Sequence, residues 1–325
     1  MQLLEVNNLK TYFTTSKGQA KAVDGVSFAL DYGQCLGLVG ESGCGKTTTA
    51  LSICQLLPKE GSIAGGEILF EGVDYAAMSE QEIRKHRWAD VSLIFQGAMN
   101  AFNPVKKVGW QIAEVCMLHR KMTKQQAWER AGDLFEMVGI PRDRIHQYPH
   151  EFSGGMKQRA MIAMALACDP KLIIGDEPTT ALDVMIQAQI LELLEKLRKE
   201  LNMGMILITH DLSILSETCD KIAVMYAGKI AELGTVDDIF NHPMHPYTKR
   251  LLDCFPNIAG GERVIPDGIP GYPPSLIDPP AGCRFCPRCA DATERCASEE
   301  PAFVRVGPEH YVSCHLCNEG GVCHG

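Results

Sequence analysis

The chain has no long apolar run, no excess of basic residues and no apolar leader at its N-terminus. Its longest strongly apolar stretch, residues 160–168, is far shorter than the ~20 residues that a membrane-spanning helix needs. Glu5 brings a charge close to the N-terminus, so we expect no secretory signal peptide. We therefore expect a soluble chain, whose role at any membrane must come through a partner.

The charge and length of the chain exclude several other classes. The formal net charge is −9, which disfavours general nucleic-acid binding. The sequence contains no internal repeat, no low-complexity segment and no long coiled-coil insertion. With 325 residues, 46% of them hydrophobic, the chain can form one large domain or two smaller ones around a sizeable core.

Cysteine, in contrast, is abundant. Seven of the fourteen cysteines lie between residues 283 and 323. Because no secretory signal is expected, this cluster indicates metal binding rather than disulfides. Scattered cysteines such as Cys54 and Cys168 are best interpreted as small core side chains.

One glycine-rich segment predicts a phosphate-binding loop, since it has the spacing G-x-x-x-x-G-K-[ST]. It follows an apolar run and precedes residues with helical spacing, so backbone N–H groups and a helix N-terminus can surround an anion. Lys46 would supply a charge to the outer phosphates, and Thr47 would offer a hydroxyl to Mg²⁺. The predicted nucleotide-binding residues here are Gly40, Glu41, Ser42, Gly43, Cys44, Gly45, Lys46, Thr47 and Thr48.

A second apolar run, residues 172–175, ends in two acidic residues. Asp176 can hold Mg²⁺ directly or through water, and Glu177 can polarise an attacking water. Two acids after a strand are, by themselves, most simply a solvated turn or a helix cap. Downstream of a phosphate loop, the catalytic interpretation is favoured.

Three further features accompany these motifs in a fixed order. Gln96 ends a predicted strand, Ser153-Gly154-Gly155 starts a predicted helix, and His210 ends the strand after the acidic one. The ordered set resembles the ATPase subunit of ATP-binding cassette (ABC) transporters, over roughly residues 1–255.

The resemblance implies a role for each matching residue. Glu177 is similar to the catalytic glutamate and His210 to the switch histidine near the γ-phosphate. Gln96 is similar to the glutamine that meets the metal and the water, so Thr47, Gln96 and Asp176 are the predicted Mg²⁺ ligands. Asp183 resembles the D-loop aspartate.

Ser153, Gly154, Gly155 and Met156 resemble the signature motif, which contacts the ATP held by the facing subunit. At the two positions that flank Ser153-Gly154-Gly155, the family most often has Leu and Gln, whereas this chain has Phe152 and Met156. We expect neither difference to do much damage to the anion contact. Adenine would stack on Tyr12 or Phe13. Phe13 fits the family spacing slightly better, and neighbouring strand residues face opposite ways, so only one of them can stack.

The same resemblance implies the fold. We expect an α/β P-loop NTPase (RecA-like) with a mainly parallel sheet, an N-terminal antiparallel β subdomain and a helical insert at about residues 97–157. The predicted ATPase domain covers residues 1–255. Residues 256–325 would form a Pro-rich linker and a cysteine-rich metal-binding module.

Three later segments, residues 245–252, 269–276 and 282–289, resemble the ATPase subunits of dipeptide/oligopeptide importers, a family that includes nickel-uptake relatives. The resemblance implies ATP and Mg²⁺, a second and related ATPase subunit, two permeases and an extracytoplasmic binding protein. The chain would then lie at the cytoplasmic face of the cell membrane. Peptide is the favoured cargo, and nickel or another solute is the alternative. A DNA-maintenance ABC ATPase is disfavoured by the acidic balance and by the lack of a long insertion.

The cysteine-rich tail resembles the family's pattern for a [4Fe–4S] cluster, held by Cys283, Cys289, Cys296 and Cys314. A competing C-x₂-C…C-x₂-C set, Cys286, Cys289, Cys314 and Cys317, is typical of a zinc ribbon. We favour the cluster, but zinc and a metal-free tail stay open, as does a ligand role for Cys286 or Cys317.

Overall fold

The computed structural model describes residues 2–95, 97, 101–180, 182–254 and 268–317. The strands, in chain order, are β1 (Gln2–Thr15), β2 (Gly18–Asp31), β3 (Cys35–Val39), β4 (Gly61–Phe70), β5 (Val73–Asp74), β6 (Val91–Ile94), β7 (Leu172–Asp176), β8 (Gly204–Ile208), β9 (Lys221–Tyr226), β10 (Lys229–Thr235), β11 (Val304–Arg305) and β12 (Tyr311–Val312). The helices are α1 (Lys46–Ile53), α2 (Glu80–His86), α3 (Val108–Arg120), α4 (Lys124–Met137), α5 (Gly154–Ala165), α6 (Val184–Leu201), α7 (Leu212–Thr218), α8 (Val236–Asn241), α9 (Pro246–Asp253) and α10 (Glu294–Ser298).

The described residues fall into two compact units, each built from several chain segments. The first unit takes its residues from Met1–Leu4, Leu30–Cys35 and Phe70–Ile208. The second takes its residues from Glu5–Ala29, Leu36–Leu69 and Thr209–Gly325. Among the described helices, none combines the length and the apolar character that a bilayer crossing requires.

The first unit contains three parallel strands in the order β8–β7–β6. Every residue of β7 and β8 is buried, as expected for parallel strands covered on both faces. Asp176, the last residue of β7, lies opposite Ile208 of β8. This register places the acidic residues at the carboxyl end of the sheet, where ligands of α/β proteins bind.

The predicted helical insert, at about residues 97–157, contains α3 and α4, and apolar residues recur at helical spacing from residue 108 to 138. Lys121 adopts a left-handed conformation and ends α3. Thr123 then starts α4 with a capping box, in which its side chain accepts a hydrogen bond from the Gln126 N–H. The apolar spacing runs through this break because both helices turn a face to the core of the unit.

The second unit contains β2–β1–β4 and, separately, the strand order β11–β12–β10–β9–β3. A two-residue connection joins β1 to β2, which only antiparallel neighbours permit. β3 is parallel to β9, whereas β9, β10, β12 and β11 pair antiparallel in that order. The C-terminal segment thus adds two short strands to the edge of this sheet.

The described part of the predicted linker, residues 268–282, contains neither helix nor strand. It is attached to β2, where the Lys21 N–H donates to the Leu276 carbonyl at 2.8 Å. The predicted boundary between the ATPase domain and the C-terminal segment, between residues 255 and 256, stays a prediction.

Candidate active site

The phosphate loop leaves β3 and enters α1, as the sequence predicts. All five residues of β3 are buried, and Gly45 is the N-cap of α1. Gly40 and Gly45 have φ values of +148° and +109°, which side-chain-bearing residues rarely adopt. A Cβ at Gly40 would lie 2.0 Å from the Met225 carbonyl oxygen, and a Cβ at Gly45 would lie 2.4 Å from that of Ala22. Only glycine fits either position.

Lys46 lies across this loop. Its ammonium donates to the carbonyl oxygens of Gly40 at 2.6 Å and Glu41 at 3.1 Å, and the side chain is buried. The neighbouring Cys44 is also buried, and burial raises the pKa of its thiol. Ser42, Gly43 and Thr47 are exposed. The loop therefore combines a fixed cation with an exposed hydroxyl, as a site for a magnesium-bound polyphosphate requires.

Glu41 has two partners that the sequence did not reveal. Its backbone N–H donates to the Tyr247 hydroxyl at 3.0 Å, and its carboxylate accepts two hydrogen bonds from Arg288. Both partners come from later segments that matched the importer family in sequence. The sequence marked these segments as family features but gave no signal that they contact the phosphate loop.

In the first unit, Asp176 ends β7 and Glu177 follows it directly. Asp176 is 4% exposed. Glu177 has a φ of +48°, its N–H donates to the Ile208 carbonyl at 2.9 Å, and its carboxylate accepts from the Thr180 hydroxyl at 3.0 Å. A left-handed glutamate is uncommon, and here these two hydrogen bonds hold it.

The starts of α5 and α6 lie side by side in the same unit. Ser153 is the N-cap of α5 and accepts from the Met156 N–H at 3.3 Å. Asp183 is the N-cap of α6 and accepts from the Ile186 N–H at 3.0 Å. A Cβ on Gly155 would lie 2.8 Å from Ile186 Cγ2, so the close approach of the two helix starts requires glycine. The structure thus brings the predicted signature and D-loop residues together.

Phe152, which departs from the commonest signature spelling, is a core residue. It is 5% exposed, and its ring meets Phe135 of α4 edge to face, with centroids 6.1 Å apart. Its aromatic ring therefore packs α4 against the start of α5 and is not directed to an anion. Met156 is half-buried on the first turn of α5.

His210 is exposed and follows the buried Thr209 in the second unit. The next residue, Asp211, caps α7 by accepting from the Ser213 N–H at 2.9 Å. This cap fixes the backbone on which His210 stands. Gln96, the predicted third member of the catalytic set, lies outside the described residues.

The two candidates for adenine stacking are both half-buried on β1. The Tyr12 hydroxyl donates to the Asp24 carboxylate at 2.6 Å. Burial, together with this bond, raises the pKa of Tyr12 to about 12. The Phe13 ring covers Gly61, where a Cβ would lie 2.8 Å from the ring. The Tyr12 side chain is thus held by the hydrogen bond to Asp24, whereas the Phe13 side chain has no polar group to hold it.

The cysteine-rich tail gathers its thiols at one place. A small cavity in the second unit is lined by five of them, Cys283, Cys286, Cys289, Cys296 and Cys314. All five are free. Burial raises the pKa of Cys283 and of Cys289 to about 11. The four thiols of the predicted cluster set therefore converge, with Cys286 beside them.

No group of three or more His, Cys, Asp or Glu side chains within the described residues is arranged to hold a metal ion. Cysteine thiolates are the usual ligands of iron–sulfur clusters, but the thiols that line this cavity are not arranged as a metal site, and the [4Fe–4S] assignment stays a prediction. Cys317 is disulfide-bonded, so one of the four thiols of the alternative zinc set is not free.

Comparison with known proteins gives the same assignment as the motifs. The family model for ABC transporters matches residues 23–180, and the model for the C-terminal region of oligopeptide/dipeptide transporters matches residues 231–296. A solved dimeric ATP-binding cassette, MJ0796 in a post-hydrolysis state bound to ADP and Pi, aligns with a TM-score of 0.64 and 24% identity, covering 72% of this chain and 98% of that one. The fold is therefore that of an ABC ATPase cassette, which confirms the predicted fold class.

Relatives narrow the assignment. The oligopeptide transport ATP-binding protein OppD of Bacillus subtilis is 49% identical over 97% of this chain and 89% of its own length. OppD of Escherichia coli is 48% identical over 92% of this chain and 89% of its own length. The dipeptide transport ATP-binding protein DppD of Bacillus subtilis is 47% identical, with 97% and 95% covered. The chain belongs to the family of ATP-binding subunits of oligopeptide/dipeptide ABC transporters.

Proposed function

We propose that this chain binds and hydrolyses MgATP and thereby energises the import of dipeptides or oligopeptides. The observation that carries the proposal is the phosphate loop, where two glycines admit no Cβ and Lys46 crosses a glycine-lined backbone cradle. Peptide as cargo is supported by the names of relatives that match nearly the whole chain.

Each step of hydrolysis has a proposed residue. Lys46 binds the outer phosphates, and Glu177 orients the attacking water and accepts its proton. Thr47, Gln96 and Asp176 would hold Mg²⁺, since hydroxyl, amide and carboxylate oxygens are its preferred ligands. Mg²⁺ bound there would neutralise negative charge on the phosphates. His210 contacts the γ-phosphate. Phe13 is the favoured stacking partner for adenine because Tyr12 already uses its hydroxyl on Asp24.

The signature residues act on a second nucleotide. In this proposal, the start of α5 at Ser153, Gly154, Gly155 and Met156 binds the ATP held by a facing ATPase subunit, with Asp183 beside it. The facing chain is a related ATPase, so the pair is a heterodimer. Two permeases and an extracytoplasmic binding protein complete the importer, and this chain binds the permeases at the cytoplasmic face of the membrane.

We also propose that Cys283, Cys289, Cys296 and Cys314 hold a [4Fe–4S] cluster that staples the C-terminal segment. Support comes from the shared cavity that these thiols line. A short Pro-rich segment buries little core, so a bound metal centre would contribute much of its stability. Zinc, held by the overlapping set Cys286, Cys289, Cys314 and Cys317, is the alternative, although Cys317 is disulfide-bonded in this structure.

The proposal is tested with Glu177→Gln in the assembled importer. Removing the general base should lower ATP turnover about 10²- to 10³-fold while MgATP stays bound. Labelled-peptide uptake should fall in parallel. Glu192→Gln, an exposed position on α6, is the matched control and should leave both measurements unchanged. Rapid steady-state ATP hydrolysis by Glu177→Gln would show that Glu177 is not the general base. Transport of nickel but not of peptide would overturn peptide as the proposed cargo.

A further inference from the structure

Arg288 lies in the cysteine-rich segment, which runs from Cys283 to Cys317 in the described residues. It forms a bidentate ion pair with Glu41 of the phosphate loop. Its two terminal nitrogens donate to the two carboxylate oxygens at 2.6 and 2.9 Å. The Arg288 side chain is only 4% exposed and that of Glu41 is 26% exposed. A buried, two-bond arrangement of this kind is stronger and more specific than the usual surface ion pair.

The guanidinium has no freedom left for other partners. Its remaining N–H groups donate to the carbonyl oxygens of Pro270 at 2.8 Å and Ile269 at 3.1 Å, and to the Tyr226 hydroxyl at 3.1 Å. All five donors are thus used. The hydrogen bonds to Glu41 also raise the pKa of Arg288, so the charge is permanent.

A second connection runs through aromatic rings. Phe285, three residues before Arg288, packs against Tyr226 and Tyr247 with centroid distances of 5.2 and 5.3 Å. The Tyr247 hydroxyl accepts the backbone N–H of Glu41. The same loop residue is therefore held at its main chain and at its carboxylate.

The position of Glu41 gives this clamp a consequence for nucleotide binding. Glu41 stands between two residues of the phosphate cradle, and its carbonyl oxygen accepts a hydrogen bond from the Lys46 ammonium. An unpaired carboxylate here would repel the phosphates of ATP. Arg288 neutralises this charge and fixes the orientation of the Glu41 carboxylate.

We propose that Arg288 is a positioning residue for MgATP: by pairing with Glu41 it masks a like charge within the phosphate loop, and so makes nucleotide affinity depend on the cysteine-rich segment. The inference rests on the proposed nucleotide-binding role of residues 40–47. It names a residue outside the nucleotide motifs that acts on their ligand through a neighbour.

The test measures MgATP affinity of the full chain by calorimetry at low salt. Arg288→Met should weaken binding about tenfold, and added salt should narrow the difference because it screens the exposed carboxylate. Glu41→Gln in the Arg288→Met background should return the affinity to within about threefold of wild type. Arg295→Met, which breaks an exposed ion pair with Glu299 in the same segment, is the matched control and should bind normally.

The outcomes separate this inference from the proposed function. Unchanged affinity in Arg288→Met, or a loss that Glu41→Gln does not restore, would overturn the masking role. Should Arg288→Met fail to fold, Arg288→Gln takes its place: about tenfold weaker binding that added salt narrows supports masking, and unchanged affinity overturns it. Lys46→Ala tests the site itself. If it retains full affinity, the nucleotide site is misplaced; if it loses binding while Arg288→Met is normal, only the further inference fails.

Discussion

Asp24 on β2 joins three parts of the second unit through one carboxylate. It accepts hydrogen bonds from the Tyr12 hydroxyl and from the buried Arg284 of the cysteine-rich segment, and Lys229 lies 4.0 Å away. Arg284 also donates to the carbonyl of Ala227. A single side chain thus ties the first two strands to the C-terminal segment.

Replacing Asp24 by Asn should destabilise the chain by about 3 kcal/mol at neutral pH, because it leaves the Arg284 charge buried without its partner. Urea unfolding of both proteins measures this difference. Asn conserves the shape of the side chain, so the loss reports the charge. Glu67→Gln, an exposed position on β4, is the control and should unfold as wild type does.

The same pair predicts a pH dependence. Burial acts to raise the pKa of Asp24, but the bond from Tyr12 and the charges of Lys229 and Arg284 together hold it below its usual value. A lowered folded-state pKa contributes stability above the unfolded pKa of about 4, and this contribution is lost as the pH falls further. The difference between wild type and Asp24→Asn should therefore shrink below about pH 4. A difference that stays constant down to the acid transition would contradict the assignment.

Sequence reasoning reached the residues of the site that lie within contiguous motifs. The phosphate loop, the acidic strand end and the signature turn each carry their chemistry in a few neighbouring positions, so spacing alone identifies them. The Glu41–Arg288 pair joins residues 247 positions apart. No local pattern encodes such a contact, because the fold alone decides which distant side chains meet.

At the scale of elements, the close approach of α5 and α6 sets the geometry of the signature turn. Gly155 on the first turn of α5 faces Ile186 on the first turn of α6. A side chain at this point would push the two helix starts apart. The caps Ser153 and Asp183 would then move relative to each other.

Gly155→Ala should lower ATP turnover of the assembled importer more than about tenfold, since the new Cβ meets Ile186 Cγ2 at 2.8 Å and overpacking shifts backbone. Ile186→Ala in the same chain removes the obstructing methyl groups and should restore a large part of the activity. Steady-state ATPase rates check both variants. If the double variant is no better than Gly155→Ala alone, the loss does not arise from this helix contact.

The helical insert shows what periodicity predicts and what it does not. Apolar spacing from residue 108 to 138 correctly predicted helix, but it did not separate α3 from α4. The signal for the break was present in the sequence as Thr123 followed by Gln126, a capping box. Two helices that share one apolar face keep the same period, so only the cap residues mark the boundary.

At the scale of the whole chain, the cysteine-rich segment is attached to the rest of the second unit at several points. β12 pairs with β10, Arg284 contacts Asp24, and Arg288 contacts Glu41. These two arginines are the sequence neighbours of Cys283 and Cys289, which line the shared cavity. Any centre that holds these thiols together also holds the two arginines in place.

This arrangement predicts the effect of losing the proposed cluster. Anaerobically prepared protein should contain about four iron atoms per chain, and Cys296→Ser should remove iron and lower the thermal unfolding midpoint. The same variant should weaken MgATP binding, because a loosened segment no longer holds Arg288 against Glu41. Cys116→Ser is the matched control: this residue is also buried but lies on α3 in the first unit, so iron content should be unchanged. If wild-type protein contains one zinc atom and no iron, the segment binds zinc and not an iron–sulfur cluster. Protein free of both metals, with the same unfolding midpoint as Cys296→Ser, would show that packing and ion pairs alone hold the segment.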